Sequence, residues 1–226
     1  MRIVLSVGGS VLVPGEVDVE YMRDAACLIV ELSHKNEVAV VCGGGRLARK
    51  YIKAARQFNA SEAYCDVLGI EASRLNARLL SCAIGEKATT SPPNDFNEAL
   101  EALQRDKIVV MGGTHPGHST DGVSALLAEY VKADYLINAT DVDGIYDADP
   151  KKKKDARLFK EITPRKLMDI VLNKSVGAGE YALVDPLAVK IIERSAIKTI
   201  FLSGKNLPNI KKAVSGGEYK GTLVKK

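Results

Sequence analysis

The sequence predicts an α/β fold, an αβα sandwich built on a mainly parallel sheet, and three observations carry that expectation. Short apolar runs of strand length alternate with helical patterns along all 226 residues. Three of those runs, IVLSV, VAVVC and IVVM, end in glycine pairs or triplets. The chain is 46% hydrophobic with 4 Phe and no Trp, so its core is aliphatic. Strands covered by helices on both faces read as continuous apolar runs of this kind, and ligands in such sheets sit at the carboxyl ends of the strands. At this length folding removes roughly 70% of the unfolded chain's surface, which supports a substantial core.

Residues 1–7 form the first strand, which stops at Gly8-Gly9-Ser10, a tight loop. From Val19 to Leu32, Met22, Ala25, Ala26, Ile29 and Leu32 recur at helical spacing, and His34-Lys35-Asn36 ends the helix with His34 at the surface. The strand Val38 to Cys42 runs into Gly43-Gly44-Gly45. A helix over about 46–58 places Leu47, Tyr51, Ala54, Ala55 and Phe58 on one stripe, and a long helix over 67–84 has Leu68, Ala72, Leu75, Leu79 and Ala83 on its apolar face. A polar passage at Ser91-Pro92-Pro93-Asn94 precedes a helix of about 95–105 and the strand Ile108 to Met111, which ends in Gly112-Gly113. The loop THPGHST, a helix near 121–132 and the strand Tyr135 to Ala139 follow. Thr140-Asp141-Val142-Asp143-Gly144 comes directly after that strand, and the basic run Lys151 to Lys154 reads as a solvated loop. Helices near 163–172 and 185–195, a strand over 199–202 and a short helix near 207–214 complete the chain. There is no repeat and no low-complexity linker, so the expectation is one domain over 1–226.

Several function classes are excluded. The net charge is +4, from 32 Lys and Arg against 28 Asp and Glu, too small to imply a nucleic-acid or membrane surface. No apolar run approaches the roughly 20 residues of a membrane span, and no cleavable signal pattern precedes them. Cys27, Cys42, Cys65 and Cys82 form no CxxC pair and no zinc or disulfide framework. They read as reduced, semi-buried thiols of a cytoplasmic protein.

The glycines carry the chemistry. Each cluster removes Cβ atoms where the backbone turns or lies against something, and the second and third lead toward helix N-termini, whose free amides favour phosphate. The P-loop pattern GxxxxGK[ST] is absent. Gly43 to Ala48 fits the looser dinucleotide pattern, with Glu62 at about the right distance, and this remains an alternative from spacing alone. It leaves Gly8-Gly9 and Gly112-Gly113 without a role. Transfer of a phosphoryl group between two anionic partners uses more cradles, and needs cations such as Arg46, Arg49 and Lys50. In GGTHPGHSTDG, at 112–122, His115 and His118 have metal-ligand spacing, but Pro116 and Gly117 make this a loop. Its Thr, Ser and His donors suit a phosphate or a base edge, and no protein-held metal is assigned. TDVDGIYDADP, at 140–150, lacks the Glu of a calcium loop. Its carboxylates suit cations or ribose hydroxyls beside a triphosphate.

VGGS at 7–10, CGGGRLARKY at 42–51, GGTHPGHSTD at 112–121, TDVDGIYDADPK at 140–151 and DPLAVKIIERS at 185–195 together resemble the amino acid kinase family, and within it the branch that phosphorylates UMP. The resemblance spans the chain in order. It implies an acceptor-nucleotide part over about 1–130 and an ATP-binding part over about 131–226, with homohexamer assembly. The implied reaction takes ATP and UMP to ADP and UDP with magnesium (Mg2+), on the route to pyrimidine nucleotides. Carried onto this chain, Gly9 and Ser10 match the loop that approaches the transferring phosphoryl group and ATP. Gly45, Arg49, Thr140, Tyr146 and Asp149 match ATP contacts. Gly44, Asp66 and the loop Thr114, His115, Pro116, Gly117, His118, Ser119 and Thr120 match the UMP site, with Asp66 in the segment before the long helix. Asp143 matches an acidic residue that organises the catalytic centre. Much of the family has a first-strand lysine in a K-x-G-G pattern where this chain has Ser6. Lys190 or Arg49 could substitute, or magnesium and backbone amides could suffice. A non-catalytic nucleotide-binding relative, and a kinase of another small phosphate or carboxylate acceptor, are the alternatives.

Overall fold

A computed structural model describes residues 1–150, 152–153, 155–174 and 184–226. Its frame is a seven-stranded sheet made by β1 (Arg2–Val7), β2 (Glu37–Cys42), β3 (Val109–Met111), β4 (Tyr135–Thr140), β5 (Glu161–Ile162), β6 (Lys198–Ser203) and β7 (Thr222–Val224), in the order β3-β2-β1-β4-β6-β7-β5. All neighbouring pairs run parallel except β6 and β7. The interior strand β1 pairs with both β2 and β4, bringing Ser6 level with Val41 on one side and Asn138 on the other.

The helices are α1 (Gly9–Leu12), α2 (Val19–Ser33), α3 (Gly45–Gln57), α4 (Glu62–Ile84), α5 (Phe96–Gln104), α6 (Thr120–Tyr130), α7 (Pro164–Lys174), α8 (Pro186–Ser195) and α9 (Leu207–Val214). Alternation along the strands divides their apolar side chains between two layers. Ile3, Leu5 and Val7 face Met22, Ile29, Leu80 and Ile210 of α2, α4 and α9. Val4, Ala39 and Leu136 face Leu103, Leu127, Leu167 and Ile191 of α5 to α8. Both faces of the sheet are therefore covered, which is why its strands carry so few polar residues.

Most expected elements stand within two residues of their sequence positions, and the expected α2 stripe, Met22 to Leu32, is buried throughout. Three features differ. Gly9 opens the short helix α1 where a tight loop is expected. The two-residue β5 and three-residue β7 carry too short an apolar signal for periodicity to register. The long helix begins at Glu62 rather than 67, because Ser61 caps it by accepting the Tyr64 amide at 3.3 Å, and Asp66 therefore lies inside α4.

The expected apolar faces of two helices are also the wrong ones. The buried side of α4 is Cys65, Ala72, Ser73, Asn76, Ala77, Leu80 and Ser81, while Leu75 is 56% and Leu79 37% exposed. In α3 only Ala48 and Ala55 are buried, and Tyr51 and Phe58 lie open. The reason is what the inner faces meet. On α4 that face meets the backbones of Gly43, Gly44, Gly112 and Gly113, where Ser73 and Asn76 fit and bond, and Leu80 is the one large aliphatic residue among those it buries. All four cysteines are free, with Cys42 and Cys65 buried and Cys27 and Cys82 exposed. Burial pushes the Cys42 thiol up to about 12.

Candidate active site

The first two glycine clusters interlock at the carboxyl ends of β1 and β2. A Cβ on Gly9 would collide with the Gly45 amide and would stand 2.6 Å from the Gly43 carbonyl oxygen. One on Gly43 would stand 2.5 Å from the Gly9 nitrogen and 3.2 Å from Thr120 Oγ1. Gly45 has φ +64 and lies against the Gly9 carbonyl, so its position excludes other residues on both counts. From below, the buried Asn76 of α4 donates its Nδ2 to the Gly43 carbonyl at 2.8 Å.

What this interlocking leaves open is visible in the helix ends. Asp18, Ser61, Asp95, Ser119, Asp185 and Asn206 cap α2, α4, α5, α6, α8 and α9 by accepting a first-turn amide. The helices that start at the glycine clusters, α1 and α3, have no side-chain cap. The first amides of the thirteen-residue α3 thus remain unsatisfied by protein side chains, and the helix dipole adds to them. An anion bound there supplies the missing acceptors. Arg46, Arg49 and Lys50 are exposed on the first turns of the same helix.

The third cluster differs from expectation. Gly112 and Gly113 pack on α4, where a Cβ on Gly112 would lie 2.6 Å from the Arg74 amide and one on Gly113 2.9 Å from Ile70 Cγ1. The Gly113 amide donates to Ser73 Oγ at 2.7 Å. These glycines serve the approach of β3 to α4 and send the chain into the loop 114–119, leaving the anion cradle to the first two clusters. In that loop the Gly117 amide, at φ +83, donates to Asp66 Oδ2 at 2.8 Å. Asp66, Gly117 and the exposed His115 and His118, whose rings stand 6.4 Å apart, therefore share one site beside the cradle. Thr114 contributes a buried hydroxyl that has no partner among the described residues.

Beyond the loop, polar side chains fasten three elements together. Ser119 caps α6 through the Gly122 amide and donates its hydroxyl to Asp185 Oδ2 at 2.5 Å. Asp185 caps α8 through the Leu187 amide, and Asn138 of β4 donates to Asp121 Oδ1 at 2.9 Å. Burial, with the charge of Asp185 beside it, raises the Asp121 pKa above the ordinary carboxylate value. Asn138, Asp121 and Asp185 carried no role in the sequence reading. An Asp directly before Pro186 is a recognisable helix start, whereas Asn138 sits in an apolar run that gave no hint of its bond to Asp121.

On the other side of β4, Thr140 Oγ1 closes a turn by accepting the Val142 amide at 3.2 Å. Asp143 is paired with Lys220 at 2.6 Å, and burial, with the Asp143 charge beside it, raises the Tyr146 pKa above its ordinary value. The Asp149 carbonyl accepts the Lys152 and Lys153 amides. Lys151 and Lys154 of the basic run lie outside the described residues. Ser6 is 1% exposed and its hydroxyl has no partner among the described residues. It projects onto the α6 side of β1 together with Val4, away from solvent. The structure thus brings Gly9, Gly43 to Gly45 and Thr120 together, sets Asp66 with the loop 114–119 on one flank, and groups Asp143 with Tyr146 on the other. Arg49 and Lys190 stay exposed on α3 and α8.

An uncapped helix start against an interlocked glycine backbone, flanked by an acceptor-like loop and an acidic loop on one parallel sheet, defines a phosphate-handling α/β protein. The chain belongs to the amino acid kinase family, which it matches over residues 1–203. A uridylate kinase of Archaeoglobus fulgidus is 50% identical over 224 residues, covering 99% of this chain and 100% of that one. One of Thermococcus gammatolerans is 48% identical over 224 residues, covering 99% of each. The crystal structure of the Archaeoglobus fulgidus uridylate kinase superposes with a TM-score of 0.89 at 47% identity, over 99% of this chain and 100% of that one. That of a UMP kinase from Ureaplasma parvum shares the fold, with a TM-score of 0.84 at 22% identity, over 100% of this chain and 99% of that one.

Proposed function

We propose that this chain is a UMP kinase, transferring the γ-phosphoryl group of ATP in line to UMP to give UDP and ADP. The uncapped start of α3 against Gly9 and Gly43 carries the reading, because it offers backbone amides between two flanks that can each hold a nucleotide. Likeness to uridylate kinases along nearly the whole chain supports the choice of acceptor. In this reading Asp66 and residues 114–120 receive UMP in the part before about residue 130. Thr140, Tyr146 and Asp149 receive ATP in the part after it, with Gly9, Ser10, Gly45 and Arg49 along the phosphates.

Transfer of this kind needs two anions aligned and their charge neutralised, with no covalent intermediate on the protein. With Ser6 buried at the first-strand position, the neutralising groups of this chain are the amides of the cradle and the exposed Arg49. Magnesium would contribute further positive charge at the phosphates. Among the described residues no three His, Cys, Asp or Glu side chains are grouped to hold a metal. In this reading the ion would arrive on the donor phosphates, with Asp141 or Asp143 offering one oxygen and hard oxygen donors suiting magnesium.

The remaining elements of the reading are assembly as a homohexamer, a cytoplasmic setting and a place in pyrimidine nucleotide synthesis. Among the described residues no helix is long and apolar enough to cross a membrane. Exposed apolar residues on α4 and before α2, treated below, support self-association. The test is an acceptor screen with ATP and magnesium in a coupled ADP assay. UMP should be consumed well ahead of CMP, AMP and acetylglutamate. Turnover of an amino acid derivative would overturn the acceptor, and ATP binding without ADP release for any acceptor would favour the non-catalytic alternative that Ser6 keeps in view.

A further inference from the structure

The loop that follows β4 is tied to the C-terminal segment by an ion pair that lies outside the glycine cradle. Lys220 Nζ stands 2.6 Å from Asp143 Oδ2, and the charge of the same carboxylate lies beside the Tyr146 hydroxyl. An exposed pair of this kind is by itself worth little, because two long side chains must be ordered to form it.

What distinguishes Lys220 is the fixing of its main chain. Asn209, buried in the first turn of α9, donates Nδ2 to the Lys220 carbonyl at 2.7 Å and accepts the Lys220 amide at 2.8 Å. Asn206 holds Asn209 in turn by accepting its amide at 3.1 Å. The next residue, Gly221, has room for no Cβ, which would stand 2.7 Å from the Phe201 carbonyl oxygen. Thr222 then accepts the Ile145 amide at 2.9 Å, so the C-terminal segment grips the 143–146 loop from its far end as well. With its backbone set on both sides, Lys220 has only its own rotamers to order in reaching Asp143, which lowers the entropic cost of the pair.

We infer that Lys220 is a positioning residue for the donor nucleotide, holding Asp143, and through it Tyr146, in the arrangement that receives ATP. The inference rests on the proposal that ATP is the donor and deepens it. Lys220 acts through Asp143 and Tyr146 and is given no contact with the transferring group.

The test compares wild type, Lys220→Met, Lys220→Arg, Asp143→Asn and the double variant Asp143→Asn/Lys220→Met. ATP binding is measured by calorimetry without UMP, and KM for each substrate with the other saturating. Lys220→Met should weaken ATP binding and raise KM for ATP roughly fivefold to tenfold, as expected for losing one charge-assisted contact, with KM for UMP within about twofold of wild type. Lys220→Arg should recover most of the loss. In the Asp143→Asn background the Met substitution should add almost nothing, since the two residues act as a pair. Unchanged ATP affinity in Lys220→Met, or an equal loss for UMP, overturns the inference. Because Lys220 is exposed, the variants should keep the wild-type melting temperature; a drop accompanying every loss of affinity would mark a structural role instead and equally overturn it. If wild type binds ATP but phosphorylates another acceptor, the acceptor assignment falls while the calorimetric comparison still decides the role of Lys220. If wild type binds no ATP, both fall.

Discussion

Asp66 shows how a single carboxylate can serve the protein and a ligand at once. One oxygen accepts the Gly117 amide and so fixes the loop 114–119 to α4, and in the proposed reading the other receives a nucleoside hydroxyl. Asp66→Asn removes the charge and turns part of the acceptor into a donor facing an amide. KM for UMP should rise about tenfold, since a hydrogen bond to a charged group contributes about 1.5–3 kcal/mol, while KM for ATP should move by less than about twofold. Steady-state kinetics with each co-substrate saturating check this, and an equal effect on both substrates would place Asp66 wrongly. The type of this residue was legible in the sequence through resemblance, but its place was not, because a helix start at Glu62 depends on the Ser61 cap rather than on apolar spacing.

At the scale of elements, the start of α6 is held by groups from β4 and α8. The carboxyl of Asp121 is enclosed beside Asp185 and accepts from Asn138, and burial is the main cause of its raised pKa. A carboxyl raised in this way contributes stability that is complete below its unfolded pKa and is lost as pH rises through the folded value. Asp121→Asn keeps the acceptor for Asn138 and removes the charge. Its unfolding free energy relative to wild type should therefore increase as pH is raised from the ordinary carboxylate range toward neutrality, read from urea denaturation at several pH values. A difference independent of pH would show that Asp121 is not the titrating group.

Helix faces belong to the same scale, and here periodicity misled for a physical reason. The stripe of large aliphatic residues on α4 was read as the buried one, whereas the side that packs on Gly43, Gly44, Gly112 and Gly113 had to be small and polar. Ser73 and Asn76 interrupt the helix pattern and were the signal available, since a buried polar residue needs a partner, and both have one. By contrast α2 packs on a β-sheet face through Met22, Ile29 and Leu32, and for it spacing alone sufficed.

For the whole molecule the outward stripe has a consequence. Val17, Leu75 and Leu79 border a cavity of about 580 Å³ with Val13 and Leu47, and an adjoining one of about 260 Å³ runs on to Val19 and Met22. Exposed apolar residues grouped in this way suit an interaction surface. If it joins copies of this chain, Leu75→Asp and Leu79→Asp should lower the mass measured by light scattering after gel filtration while far-ultraviolet circular dichroism stays unchanged. An unchanged mass would move the assembly interface elsewhere.

Local patterns in the sequence were enough for the α/β class, for five of the seven strands and eight of the nine helices among the described residues, and for the glycine clusters at three strand ends. These depend on local patterns: apolar runs, helical spacing and residues without a Cβ. Three outcomes required the folded chain: that Gly112 and Gly113 serve packing on α4, that Ser6 of β1 is closed off on the α6 side of the sheet, and that Lys220 reaches Asp143 across 77 positions of chain. Each of those outcomes depends on what a distant segment places opposite the residue, and spacing along the chain carries no record of it.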